Sequence, residues 1–177
     1  MAIKTLKSNY VYQGKILALR IDEVEFPAGM IGKREVVEHP GAVGIIALTE
    51  DNEVVLVKQF RQATGDNMWE IPAGKLEPGE DPQGCAIREL KEETGFTARH
   101  WQKLTSFYTS PGFANEILHL YFARGLKAGE QNLDPGEYIN TSLLPLPQAL
   151  SWVRRGQICD AKTIIGLLWL NAGGWGE

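Results

Sequence analysis

Two continuous apolar runs rich in β-branched residues, "AVGIIAL" from Ala42 and "EVVLV" from Glu53, are separated by the turn residues Asp51 and Asn52. Apolar runs without polar alternation predict strands covered on both faces, and the short polar break between them predicts a hairpin. A second hairpin is predicted upstream, from "KILALRIDEVEF" and "KREVVEH" separated by the Pro- and Gly-containing "PAGMIGK". "MWEIPAG" is a short strand ending at Pro72 and Gly74, and "KLTSFYTS" and "EILHLYFARG" are strand-like as well. The period becomes helical after Asp81. This residue is a good N-cap, Pro82 fits the first helical position, and Gly95 is a natural stop, so a helix is predicted over Pro82–Thr94. "LPQALSWVRRG" and "DAKTIIGLLWLNAGG" read as two further helices, the second capped by Asp160. That last helix is very apolar but too short to span a bilayer, so it is expected to pack on the core. Strands mixed with a few helices, without regular βα alternation, predict an α+β fold with a central mixed sheet.

At 177 residues the chain has room for one domain with a proper core, so one active centre is sought. A net charge of -4 argues against broad nucleic-acid binding, which needs a basic surface, and no apolar run is long enough for a membrane span. "MAIKTLKSNY" is too polar for a signal peptide, and a cytoplasmic location is the expectation. Cys85 and Cys159 suggest neither a disulfide framework nor a metal site, and both are expected to be small buried hydrophobes. His39, His100 and His119 are scattered outside any metal-binding spacing and are read as structural or surface residues.

The candidate chemistry lies in the central helix. At about 100° per residue, Glu89, Glu92 and Glu93 share one arc of roughly 100°, while Ala86, Ile87, Leu90 and Thr94 occupy another. A solvated charged stripe would look the same. Against it, like charges at three- and four-residue spacing repel, and the positions four past Glu92 and Glu93 hold Phe96 and Thr97 rather than a lysine. Glu92 and Glu93 also stand at the negative end of the helix dipole. A hard divalent cation, Mg²⁺ first and Mn²⁺ next, would reverse all three penalties. On these grounds alone the two readings are evenly matched.

The surrounding pattern tips the balance. Gly74, Glu80, Arg88, Glu89, Leu90, Glu92, Glu93, Gly95 and Phe96 match every fixed position of G-x5-E-x7-R-E-U-x-E-E-x-G-U, where U is a bulky apolar residue. The segment resembles the Nudix box. The resemblance implies a Nudix-type α/β/α sandwich over residues 41–177, preceded by an N-terminal β-hairpin region over 1–40 that forms a dimer. It further implies hydrolysis of a nucleoside diphosphate linked to another moiety, with two or more Mg²⁺ or Mn²⁺ ions in turnover. Glu89, Glu92 and Glu93 then correspond to the metal carboxylates, with the backbone carbonyl of Ala73 as a further ligand. Glu80 and Arg88 correspond to residues that orient a glutamate.

Outside the box, "SPGF" places Pro111 fifteen residues after Phe96, which resembles the ADP-ribose pyrophosphatase subfamily, as does "GQICDAKT" near the end. This implies attack of water on ADP-ribose, giving AMP and ribose 5-phosphate. Glu137 in "LDPGEYIN" takes the place of the subfamily's general base, with Glu92 as the alternative; Pro135 and Gly136 depart from the usual acidic run there. The same resemblance makes Arg61 of "KQFR" a phosphate ligand and places Glu70 and Glu116 near metals or terminal ribose. On the N-terminal hairpin it points to Arg20, Phe26 and Arg34 as contacts to the adenosine end in a homodimer. Phe107, Tyr108 and Tyr121 are candidates for adenine stacking, although aromatics at strand spacing belong more often to a core. The rival readings are hydrolysis of another nucleoside diphosphate sugar, a non-catalytic sensor, and RNA-linked hydrolysis. A sensor commonly lacks a box glutamate, and none is missing here; RNA chemistry favours a basic groove, and the acidic net charge and absence of a basic run weigh against it.

Overall fold

A computed structural model describes residues 2–173. The chain divides into two compact units, Met1–Gly41 with Phe107–Ile117, and Ala42–Ser106 with Leu118–Glu177.

In the first unit β1 (Lys4–Gln13), β2 (Ala18–Glu25) and β3 (Ile31–Glu38) form an antiparallel sheet in that order. The expected hairpin is β2–β3, closed by the Phe26 N–H to Met30 carbonyl bond of 2.8 Å. The sequence reading did not foresee β1. Every residue of that strand is exposed, and its pairing is interrupted at Thr5/Lys7 and Tyr10/Tyr12, so it carries no period-two pattern. The "SPGF" segment belongs to this unit: the Val37 N–H bonds the Phe113 carbonyl at 2.7 Å, and the His39 N–H bonds Asn115 Oδ1 at 2.8 Å.

Among the described residues the second unit holds two sheets and three helices. β4 (Ala42–Ala47) is central in a mixed sheet of order β7-β4-β9-β8, parallel to β9 (Ile117–Lys127) and antiparallel to β7 (Ala73–Lys75), with β8 (Thr97–Tyr108) at the edge. β5 (Glu53–Arg61) is central in an antiparallel sheet between β10 (Ile139–Pro145) and β6 (Asp66–Glu70). The expected β4–β5 hairpin is therefore corrected. The turn exists, with Asn52 at φ 57, but the two strands share only the Leu48–Val54 bridge and enter different sheets. Val43, Ile45, Ile46 and Val54 through Val57 are essentially inaccessible, and each strand is flanked on both sides by strands from elsewhere in the chain. Both apolar runs are buried as predicted; β5 pairs with its sequence neighbour β6, and the other partners come from more distant sequence.

Helix α1 (Pro82–Thr94) has the predicted bounds. Asp81 Oδ2 accepts the N–H groups of Gln83 (3.1 Å) and Gly84 (3.0 Å), and the Gly95 N–H closes the C-terminus on the Lys91 carbonyl at 2.8 Å. Its apolar face places Cys85, Ala86 and Leu90 against Val43, Ile45, Ala47, Val55, Tyr121 and Ala123. α2 (Leu146–Arg154) and α3 (Ala161–Asn171) follow as expected. A Cβ on Gly166 would overlap the Ile46 side chain, so glycine at that position accommodates the packing of α3 on β4. Cys85 is buried as expected, whereas Cys159, in the loop before the Asp160 cap, is exposed. Among the described residues no helix is long and apolar enough to cross a membrane.

Candidate active site

The acids of α1 do not simply face water. Arg88 donates from Nε and Nη2 to the two oxygens of Glu80 at 2.9 and 3.0 Å, and from Nη1 to Glu89 at 2.7 Å and Glu92 at 3.0 Å. No lysine follows Glu92 and Glu93 at four-residue spacing, and the cation that meets Glu89 and Glu92 is Arg88, four residues before Glu92. Arg88 and the Glu77 backbone hold Glu80 down to a pKa of about 2 against its burial, and the fork of Glu80 orients the guanidinium that meets the other two carboxylates.

Glu93 is different. It is 6% exposed, and its carboxylate accepts the Ala73 N–H at 2.9 Å. Burial, only partly offset by that bond and by Arg61, together with repulsion from Glu89 and Glu137, pushes its pKa up to about 8. Glu89 is also pushed upward, chiefly by burial, and its carboxyl lies against Gly74, where a Cβ would overlap it. The box glycine thus makes room for a box glutamate. Among the described residues no three acidic, His or Cys side chains converge as metal ligands would; Glu89 and Glu92 are hydrogen-bonded to Arg88. The donor set nevertheless fits a hard divalent cation: carboxylate oxygens only, with a buried acid whose charge its neighbours oppose.

Glu137 is exposed on a turn entered through Gly136 at φ 92, and its N–H bonds the Asp134 carbonyl at 3.0 Å. Its charge contributes to the upward pKa shifts of both Glu89 and Glu93. The loop is tied to the end of α1, with the Asn132 N–H on the Glu92 carbonyl at 3.0 Å and the Gln131 amide on the Glu93 carbonyl.

Arg61 ends β5 beside the cluster and forms a bidentate pair with Glu70, Nε to Oε1 and Nη2 to Oε2 at 2.7 Å each. Glu70 is 2% exposed and is also bonded by Lys162. Both of its oxygens are therefore engaged within the protein, and its bonds lead to Arg61. The sequence reading missed Lys162. The available signal was a lysine in the first turn of a helix, where the dipole disfavours it. Gln59 Oε1, on the same face of β5 as Arg61, is buried with no hydrogen-bond partner among the described residues.

Pro111, Glu116 and Arg34 lie in the other unit. Glu116 accepts from Thr109 Oγ1 at 2.6 Å and stands 3.4 Å from His39 Nδ1; Arg34 covers the Phe26 ring at 4.7 Å; Pro111 is exposed. Arg20 is held by Asp22 and Glu38. Tyr121 is a core residue at 4% exposure, Phe107 is half-buried, and Tyr108 is exposed.

The sequence profile of the NUDIX domain matches residues 38–164, and that of the nucleoside diphosphate sugar hydrolase N-terminal domain matches residues 3–37. The chain is 46% identical to the methanol dehydrogenase activator of Bacillus methanolicus, over 95% of this chain and 92% of that one. It is 44% identical to the ADP-ribose pyrophosphatase of Bacillus subtilis with the same coverage. Among solved structures, an ADP compounds hydrolase superposes with a TM-score of 0.86 at 21% identity, covering 98% of this chain and 94% of the other, a likeness of fold.

Proposed function

The chain belongs to the NUDIX family, and from that premise we propose that it is a divalent-metal-dependent hydrolase that cleaves ADP-ribose to AMP and ribose 5-phosphate. The observation that carries this reading is the pairing of opposite needs in one place. A buried carboxylate cluster around Glu93 calls for cations, and Arg61 beside it presents a half-exposed guanidinium. A diphosphate held by Arg61, with divalent cations held by the carboxylates, would satisfy both.

Glu89, Glu92, Glu93 and the Ala73 carbonyl are the groups that would hold Mg²⁺ or Mn²⁺, with more than one ion in turnover. Bound there, such ions supply positive charge and Lewis acidity toward the diphosphate. Arg88 orients Glu89 and Glu92, and Arg61 fixes a phosphate through its free edge. Water attacks one phosphorus, the bond from that phosphorus to the bridging oxygen breaks, and Glu137 accepts the water's proton, with Glu92 as the alternative. Glu70 acts through Arg61. Pro111, Glu116 and Arg34 contribute to the ribose and adenosine ends, Arg34 from the N-terminal sheet of a homodimer. The enzyme is placed in the cytoplasm, with no nucleic-acid partner.

The test is turnover of ADP-ribose against ADP-glucose, GDP-mannose, NADH and diadenosine polyphosphates with and without Mg²⁺, using Glu93→Gln as control. ADP-ribose should lead and the variant should be silent. Preference for another nucleotide sugar would move the substrate and keep the chemistry, and metal-independent turnover would overturn both. The relative from Bacillus methanolicus favours a second reading, action on a dehydrogenase. Adding the native chain and Glu93→Gln to a methanol dehydrogenase assay tests it, since only the native chain should raise the rate if hydrolysis is the cause.

A further inference from the structure

Lys162 stands in the first turn of α3, directly after the Asp160 cap and Ala161, where the positive end of the helix dipole opposes a cation. Its side chain is only 12% exposed, so desolvation opposes it as well. What offsets both is Glu70: the Lys162 ammonium bonds Glu70 Oε2 and lies 3.1 Å from Asp160 Oδ2. The same helical turn holds the chain next to Glu70. Thr163 donates its N–H (3.0 Å) and Oγ1 (2.6 Å) to Asp160, and its Oγ1 accepts the Ile71 N–H at 2.8 Å. Glu70 is thus gripped from α3 by Lys162 and from β5 by Arg61.

The consequence falls on Arg61. Its Nε and Nη2 edge is committed to Glu70, which leaves the Nη1 edge and the second Nη2 hydrogen available on a side chain 39% exposed. A guanidinium held only by a free carboxylate would swing together with it. One whose carboxylate is anchored by a second cation cannot, and that second cation also keeps Glu70 from cancelling the charge offered to an anion.

We propose that Lys162 is a positioning residue for the diphosphate: by anchoring Glu70 it fixes the available edge of Arg61 in one orientation. The inference rests on Arg61 as the phosphate ligand of the reading above. It adds α3, an element outside the box, to the machinery that sets substrate affinity.

A double-mutant cycle tests it, with kcat and KM for ADP-ribose at saturating Mg²⁺. Lys162→Met should raise KM about tenfold, the usual scale for losing a hydrogen bond to a charged group, and Lys162→Arg should restore most of it. Arg61→Ala should raise KM at least as much. In the Arg61→Ala background, Lys162→Met should add less than about twofold, because its effect passes through the missing guanidinium. Glu70→Gln, which leaves no buried carboxylate unpaired, serves as the second route should Lys162→Met fold poorly; it too should raise KM and be silent in the Arg61→Ala background. Multiplying effects would mean that Lys162 touches substrate itself, and a fall in thermal stability without a KM change would mean a structural ion pair; either overturns the proposal. An unchanged KM in Arg61→Ala itself would instead remove the phosphate-ligand assignment, and this inference with it.

Discussion

Glu93 concentrates the tension of the site, for it is the box acid most deeply buried and its pKa is raised to about 8. Without metal, its charge works against folding. Glu93→Gln should therefore abolish metal-dependent turnover yet raise the melting temperature of the metal-free protein by several degrees, about 2–4 °C per kcal/mol at this chain length; a lower melting temperature would mean the charge is compensated. Glu80 is the opposite case. Its folded pKa of about 2 lies below the ordinary 4.5, so the Arg88 pairing stabilises the fold above pH 4.5 and is lost as pH falls toward 2. Glu80→Gln should flatten the acid limb of stability across that window, as read by denaturant midpoints at several pH values. For Glu137, replacement with Gln should cut turnover at least ~100-fold with metal affinity nearly intact; a loss under threefold passes the role to Glu92. These residue types at their spacing were legible in the sequence. The motif implied that Arg88 orients a glutamate; that one guanidinium joins Glu80, Glu89 and Glu92 together depends on side-chain directions that spacing does not give.

Among the elements, α1 was the most readable, since its cap, first proline, apolar stripe and terminal glycine are all local signals. Leu90, fully buried between the helix and the mixed sheet, should cost about 2–5 kcal/mol as Leu90→Ala in chemical denaturation, with the catalytic acids displaced along with the helix. The strands were less readable. β4 and β5 carry the burial expected of central strands, but pairing is a property of two segments: β5 pairs locally with β6, whereas β10 and β9, the other partners of β5 and β4, lie far along the chain. β1 has no buried face within its own chain and therefore no pattern to detect.

For the whole molecule, that same strand is the feature that predicts assembly. Leu6, Tyr10, Val11 and Tyr12 are all exposed on β1, and a second copy of the chain is the proposed cover. Light scattering should give a mass near twice 19.7 kDa, and deleting Lys4–Gln13 should halve it; a monomer for the intact chain would remove the dimer from the proposal.

The chain by itself determined the box, the helix that displays it, the acid-rich chemistry and the α+β class, because caps, periodicity and fixed spacing act over a few residues. Tertiary structure alone decided which strands share a sheet, that Glu93 is buried while Glu137 is not, and that Lys162 meets Glu70 from 92 positions away. The physical reason is that burial and charge pairing depend on distances in space, and segments remote in sequence set those distances only when the chain has folded.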